Sequence, residues 1–156
     1  MKYPIINYGN PMNVSDEWKR RFHADALYLE QSRNLSYYDA IPLPPTTLFM
    51  GGSPVTPFVI TETDRPVLIN FSKIALDHYN QGSDSSFEFV DLVKCSFYND
   101  FRVVPTDVCD LDPAEYYITF QAKDPFDTIT IFQTKVLVDQ HDKHKLPVVE
   151  ECRIQI

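Results

Sequence analysis

The chain is 156 residues long, the size of one compact domain that can bury a core without disulfides or a structural metal. It is 44% hydrophobic and 23% charged, which is typical of a folded protein rather than a disordered or fibrous one. Its formal net charge of -8 would repel nucleic acid and anionic membrane surfaces, so we expect neither as a partner. The chain has 4 glycines, and their positions fit neither a P-loop nor a dinucleotide-binding fingerprint.

The cysteines and the start of the chain predict the cellular compartment. Cys95, Cys109 and Cys152 are odd in number and lack CxxC spacing, which favours neither a disulfide framework nor a zinc site. Residues 1–10 show no basic stretch followed by an apolar core, and no run of about 18 apolar residues occurs. If the chain is intact at its N-terminus, we expect a cytoplasmic or nuclear protein.

Residues 1–50 are predicted to be a helical and proline-rich N-terminal extension. Trp18, Phe22 and Ala26 recur at i+4 spacing, which predicts a helix over about 16–31 with one apolar stripe. The helix is expected to pack on the rest of the protein or on a partner through this stripe.

A proline-rich stretch marks the predicted boundary between the extension and the main domain. Residues 41–57 hold five prolines and the only paired glycines, which favours an extended connection over regular structure. The IPLPP run at 41–45 is compatible with a spacer or with a polyproline ligand for an aromatic groove.

Residues 51–156 open with a second predicted helix, over about 66–80. Asp64 or Thr63 can cap its start, and Gln81 and Gly82 give a stop signal. Runs rich in Val, Ile, Phe, Tyr and Thr then predict four strands, at 87–95, 116–122, 128–138 and 148–156.

The last predicted strand alternates clearly. Val148, Cys152, Ile154 and Ile156 share one parity and are expected to be buried, while residues 151, 153 and 155 are charged or polar and are expected to face water.

Between the first two strands, the strand signal lapses over 97–113, where aspartates at 100, 107, 110 and 112 predict a long acidic connection.

The order of elements predicts the fold class. Consecutive strands joined by short loops pair antiparallel, and their apolar face must be buried against the second helix. We therefore predict an α+β fold: one long helix packed on a curved antiparallel sheet of four to five strands, with an extra N-terminal helix.

The helix region resembles a known family. The run FSKIALDHYN at 71–80 resembles the helix signature of plant cystatins, with specific matches at Ala75, Asp77 and Asn80. The segments FEFVDLVKC, YYITFQAKD and FQTKVLV follow in the order of the family's second, third and fourth strands. The resemblance implies a cystatin-like domain over 51–156 and membership of the cysteine protease inhibitor superfamily, whose members are thiol protease inhibitors.

The resemblance also implies which residues contact a papain-like protease. The family uses an N-terminal trunk with glycine, a first hairpin loop with Gln-x-Val-x-Gly, and a second loop with Pro-Trp. Here Gly51 and Gly52 match the trunk, and Gln140 and His141 stand in the second loop. No glycine follows Gly82, so the first motif is absent, and the one tryptophan lies in the extension. Protease binding is therefore expected to be weak, or inhibition lost.

The sequence is compatible with functions other than protease inhibition. The alternative to a protease inhibitor is a non-inhibitory protein–protein interaction module on the same scaffold. A small-molecule or enzymatic site would need polar groups inside the concave face, where the predicted strand residues are apolar. We expect a protein partner, and the sequence leaves the partner's identity and the oligomeric state open.

No enzymatic activity, cofactor or metal is expected. Cys109 is flanked by carboxylates that suppress its thiolate, so we interpret it as inert. His141 and His144 are compatible with a weak divalent-cation site, but a solvated loop is favoured because further ligands are missing. The acidic residues at 107–112 lack the spacing of a calcium loop, and a solvated loop is favoured there too.

Overall fold

The structure is a computed structural model. It describes residues 5–6, 16–42, 49–50, 55–98, 101–103, 109–111, 114–139, 142 and 144–156.

These residues form helices, one 3-10 turn and β-strands. In chain order they are β1 (Ile5–Ile6), α1 (Asp16–Ser32), the 3-10 turn (Tyr37–Asp39), β2 (Phe49–Met50), β3 (Thr56–Pro57), α2 (Arg65–Ser83), β4 (Glu88–Tyr98), β5 (Phe101–Val103), β6 (Cys109–Leu111), β7 (Ala114–Lys123), β8 (Ile129–Val138) and β9 (Val148–Ile154).

The main sheet has five strands in the order β3-β4-β7-β8-β9, and every neighbouring pair is antiparallel. The four predicted strands are confirmed as β4, β7, β8 and β9, and β3 adds the fifth. The predicted α+β class is therefore confirmed, with α2 on the sheet and α1 as a second helix.

The main core lies between α2 and one face of the sheet, which we call the helix face. Leu68 and Ala75 of α2 are 1% and 0% exposed. Opposite them, the rings of Phe120 and Phe132 stack with centroids 5.5 Å apart. Fully burying a Leu or Phe side chain contributes roughly 1.5–3 kcal/mol, so this layer is the main source of stability.

The start of α2 differs from the predicted cap. Asp64 occupies the N-cap position, but its side chain makes no capping hydrogen bond. Instead, the Thr61 hydroxyl accepts from the Asp64 backbone N–H at 3.2 Å and donates to the Asp64 carboxylate at 2.7 Å. Thr61 therefore organises the turn that leads into the helix.

The end of α2 is joined to β4 by Asn80. Its side-chain amide donates to the Phe87 carbonyl at 2.9 Å and accepts from the Phe87 N–H at 3.0 Å. The helix continues through Gly82, and the left-handed residue that ends it is Asp84, with φ of 53°. Asn80 thus fixes the geometry of the helix-to-strand connection, which gives a physical role to one of the residues that match the cystatin signature.

Two strands contain irregularities that alternation alone does not reveal. In β4 the register shifts on both sides of Leu92, around Val90 and Val93, and both valines are exposed. In β9 the register shifts at Glu150, so that Val149 rather than Val148 packs against the core. The predicted burial is therefore wrong for Val148, which is 53% exposed, and also for Ile154 and Ile156 at the end of the chain, which are 36% and 120% exposed. Bulges of this kind bend and twist a strand.

The first helix forms as predicted, but its buried face is different. Phe22 is 44% exposed and Ala26 is also exposed, whereas Asp25 and Tyr28 are buried. The side chain of Trp18 lies outside the described residues. The predicted stripe is therefore wrong for Phe22 and Ala26, because a search for apolar periodicity cannot find a buried face that contains an aspartate.

Two segments predicted to lack strands contain short ones. Phe49–Met50 pairs with Ile5–Ile6, and Thr56–Pro57 pairs with β4. Within the predicted acidic connection, Phe101–Val103 pairs with Cys109–Leu111. Each of these strands has two or three residues, which is too short for an alternating pattern to be recognised.

The first prediction concerns the space at Ala75. Because Ala75 is completely buried between α2 and the sheet, Ala75→Trp is expected to destabilise the protein by at least about 1–3 kcal/mol through overpacking. His78→Trp, at an exposed position of the same helix, is the control and should change stability little. Urea unfolding followed by circular dichroism measures both, and a fully stable Ala75→Trp protein would contradict the packing.

The second prediction concerns the end of α2. A Cβ added at Gly82 would meet no atom within 4 Å, so Gly82→Ala should stabilise the helix by about 0.5–1 kcal/mol. Asp84→Ala should have the opposite sign, since alanine is strained in the left-handed conformation found there. Thermal unfolding of the two variants compares these effects directly.

Candidate functional site

The strand directions place several chain connections at one end of the sheet, which we call the loop end. β4 ends there at Tyr98 and β7 begins there at Ala114, while β8 ends at Val138 and β9 begins at Val148. Val55, just before β3, lies at the same end because Thr56 pairs with Phe97.

The four residues implied to contact a protease lie outside the described residues. They are Gly51 and Gly52, which precede Val55, and Gln140 and His141, which follow β8. Their neighbours are described: Lys145 pairs with Asp139 at 3.6 Å, and the His144 N–H donates to Asp142 at 2.9 Å. His144 and Asp142 are exposed.

No metal centre is found in the described part of the chain: it contains no group of three or more His, Cys, Asp or Glu side chains that could hold an ion. Asp107 and Asp112 of the acidic connection lie outside the described residues, and so does the side chain of Cys109.

The second face of the sheet, the outer face, is partly covered by residues 35–40. Tyr38 is 3% exposed and belongs to a small core with Val55, Tyr98 and Tyr117. Its ring meets that of Tyr117 edge to face, with centroids 5.5 Å apart. The segment is therefore attached to the outer face next to the loop end.

Hydrogen bonds and one ion pair fix the same segment to two strands, β4 and β9. The Tyr38 hydroxyl donates to Glu151 of β9 at 2.5 Å, and its carbonyl accepts from the Ser96 hydroxyl of β4 at 3.4 Å. Asp39 forms an ion pair with Lys94 of β4, and this contact holds the pKa of the Asp39 carboxyl below its usual value.

A cleft of about 380 Å³ lies between this segment and the outer face, and we call it the tyrosine cleft. Its lining combines aromatic rings with charged side chains: Leu35, Ser36, Tyr37, Tyr38, Tyr117, Lys135, Glu151 and Arg153. The Arg153 guanidinium lies 5.3 Å from the centre of the Tyr38 ring and donates to the Gln133 side chain at 3.2 and 3.3 Å.

The charged groups in and beside the cleft are paired with each other. The Lys135 ammonium lies 2.7 Å from Glu150 and 3.8 Å from Glu115. Partial burial alone would lower the pKa of Lys135, but the hydrogen bond to Glu150 and the charge of Glu115 outweigh it, and the net pKa is raised. Lys135 therefore stays protonated near neutral pH and is a poor nucleophile.

The tyrosines of the cleft are also held in their neutral form. Burial is the main cause that raises the pKa of Tyr38 and Tyr117, and hydrogen bonds to Glu151 and Glu115 raise it further. Each phenol donates to a carboxylate, an arrangement that would be repulsive if the phenol lost its proton. These groups are suited to binding rather than to proton transfer at neutral pH.

The two described cysteine side chains pack in or beside the main core. Cys95 is 3% exposed and Cys152 packs beside the core. Burial raises the pKa of each thiol to about 12, so neither forms an appreciable thiolate near neutral pH. Neither has the properties of a catalytic nucleophile.

The sequence interpretation missed the tyrosine cleft. Its residues come from the segment 35–40 and from strands distant in the chain, and no spacing motif connects them. The usable signal was the SYYDA run at 36–40, where two aromatic residues interrupt a polar stretch.

None of the described helices is long and apolar enough to cross a membrane. No family model matches the sequence, and no curated protein matches it.

The third prediction is a loss of stability at alkaline pH. The folded-state pKa values of Tyr38 and Tyr117 lie above the ordinary value of 10.0, so above pH 10 the unfolded chain releases protons that the folded chain retains. Their contribution to stability is complete below pH 10 and decreases as the pH rises, by up to about 1.4 kcal/mol per pH unit for each group.

Tyr38→Phe removes one of these phenols and should make the decline above pH 10 less steep. Urea unfolding at pH 8 and at pH 11, for the natural protein and for Tyr38→Phe, measures the difference. The double variant Cys95→Ala, Cys152→Ala controls for the thiols, whose raised pKa values act in the same direction from about pH 9. An identical slope with and without the Tyr38 hydroxyl would contradict the assignment.

Proposed function

We propose that this protein is a cystatin-like member of the cysteine protease inhibitor superfamily, without enzymatic activity, that binds papain-like proteases weakly or no longer inhibits them. The observation that carries the proposal is the arrangement of strand ends at the loop end. The strands next to the implied trunk, the first loop and the second loop all end or begin there. An inhibitor that enters a protease cleft needs its contact segments on one side of the molecule.

Weak binding is supported by the sequence of these segments. The first-loop motif and the second-loop tryptophan are absent, and carboxylates at 107, 110 and 112 stand in the first connection. Moving such charges into a narrow apolar cleft carries a desolvation cost of several kcal/mol per unpaired ion.

A second candidate function is a non-inhibitory protein–protein interaction module on the same scaffold. The tyrosine cleft favours it, because tyrosine and arginine are the residue types that most often dominate binding energy at protein interfaces.

Under either function we propose a cytoplasmic or nuclear location, since the described cysteines are free thiols and suit a reducing compartment.

The fourth prediction separates the two candidates by titration of papain with the purified protein. If the protein binds proteases, residual peptidase activity should fall only at high micromolar protein, up to about 100 μM. Replacing the trunk glycines in the variant Gly51→Glu, Gly52→Glu should then abolish the inhibition. Gly82→Glu carries the same substitution at an exposed position of α2 and should inhibit like the natural protein.

Full papain activity at the highest concentration, together with no binding to immobilised papain, would contradict the protease-binding function and favour the interaction module. Equal inhibition by the natural protein and the trunk variant would show that the trunk is not the contact. Circular dichroism of each variant verifies that its fold is intact.

A further inference from the structure

The strand β9 is at the edge of the five-stranded sheet. Its inner side pairs with β8, and within the described residues no strand pairs with its outer side. An exposed edge offers a row of backbone donors and acceptors to a second strand.

The hydrogen-bond pattern identifies which backbone groups face outward. The Gln155 N–H donates to the Ile131 carbonyl of β8 at 2.9 Å. Because antiparallel residues alternate, Arg153 and Glu151 also direct their backbone groups toward β8. The backbone N–H and C=O groups of Cys152 and Ile154 therefore point away from the sheet.

We propose that β9 pairs antiparallel with β9 of a second copy of this chain, with Cys152 opposite the partner's Cys152. In this register Glu151 stands opposite the partner's Arg153, and Arg153 stands opposite the partner's Glu151. The two charge pairs form side by side on the outer face, and the outward backbone groups of Cys152 meet those of the partner.

Charge selects this register over its neighbours. Shifting the centre to Glu151 would place two glutamates opposite each other, and shifting it to Arg153 would place two arginines opposite each other. Like charges directly across a strand pair are destabilising, whereas opposite charges contribute roughly 0.2–1 kcal/mol per pair. Of these three registers, only the one centred on Cys152 places a glutamate opposite an arginine, and it does so at two positions.

The bulge at Glu150 limits the pairing. Regular alternation holds from Glu151 onward, so the ladder is short, with the exposed side chain of Ile154 beside it. A contact of this size is smaller than a standard stable interface, and the dimer is therefore weak and depends on concentration.

The fifth prediction is tested by sedimentation velocity of the full chain up to about 1 mM. The natural protein should shift toward a dimer as concentration rises. Glu151→Arg alone and Arg153→Glu alone place like charges opposite each other, and each should raise the dissociation constant by about fivefold or more. The double swap Glu151→Arg, Arg153→Glu restores opposite charges and should restore the dimer.

A backbone variant tests the edge without changing charge. Ile154→Pro removes an N–H that faces away from β8, so the fold should persist while the dimer is lost. The control is Ile154→Ala, which keeps the backbone N–H and should still dimerise. Thermal unfolding of the same samples separates loss of association from loss of folding.

Two results would overturn the proposal. One is a natural protein that remains monomeric at about 1 mM. The other is a folded double swap that associates no better than either single variant. Both are independent of papain binding, so this proposal and the proposed function can fail separately.

Discussion

The packing of α2 against the helix face of the sheet is the interaction on which the remaining structure depends. Ala75 allows the helix to approach closely, because it has no exposed surface and only a methyl group. Phe71 and Leu68 then reach the aromatic layer of β7 and β8. Since α2 lies against one face of the sheet, the outer face is left to be covered by other residues.

The outer face is covered by a different kind of interaction. On the helix face the contacts are apolar and continuous, whereas on the outer face Tyr38 and Tyr117 combine ring contacts with hydrogen bonds to carboxylates. Tyrosine can do both, since its ring excludes water and its hydroxyl keeps a polar partner. This is why a segment as short as 35–40 can be attached firmly to a polar sheet face.

Regular patterns made most of the fold predictable from sequence. The apolar residues of α2 follow helical spacing, and β7 and β8 are long enough for strand composition to be decisive. β9 was predicted correctly as a strand but only partly in its orientation. The extra residue at Glu150 reverses the alternation before it, and nothing in the run VVEEC distinguishes a bulge from a regular strand.

The tyrosine cleft could not be predicted in the same way. Tyr38, Tyr117 and Arg153 are far apart in the chain, and their meeting depends on the order of strands in the sheet and on where residues 35–40 return to it. The buried face of α1 was missed for a related reason, because Asp25 is polar yet has no exposed surface. Local periodicity carries no information about such polar contacts between distant segments.

Glu151 links the tyrosine cleft to the proposed pairing of β9. In the monomer its carboxylate accepts the Tyr38 hydroxyl, and in the pair it also faces the partner's Arg153. Arg153 also belongs to both surfaces. Its guanidinium lies over the Tyr38 ring, and its backbone is part of the edge strand β9. If β9 pairs as proposed, a ligand that drew either side chain into the cleft would remove its charge from the pairing edge. Binding in the cleft and pairing of β9 would then weaken each other by the same factor.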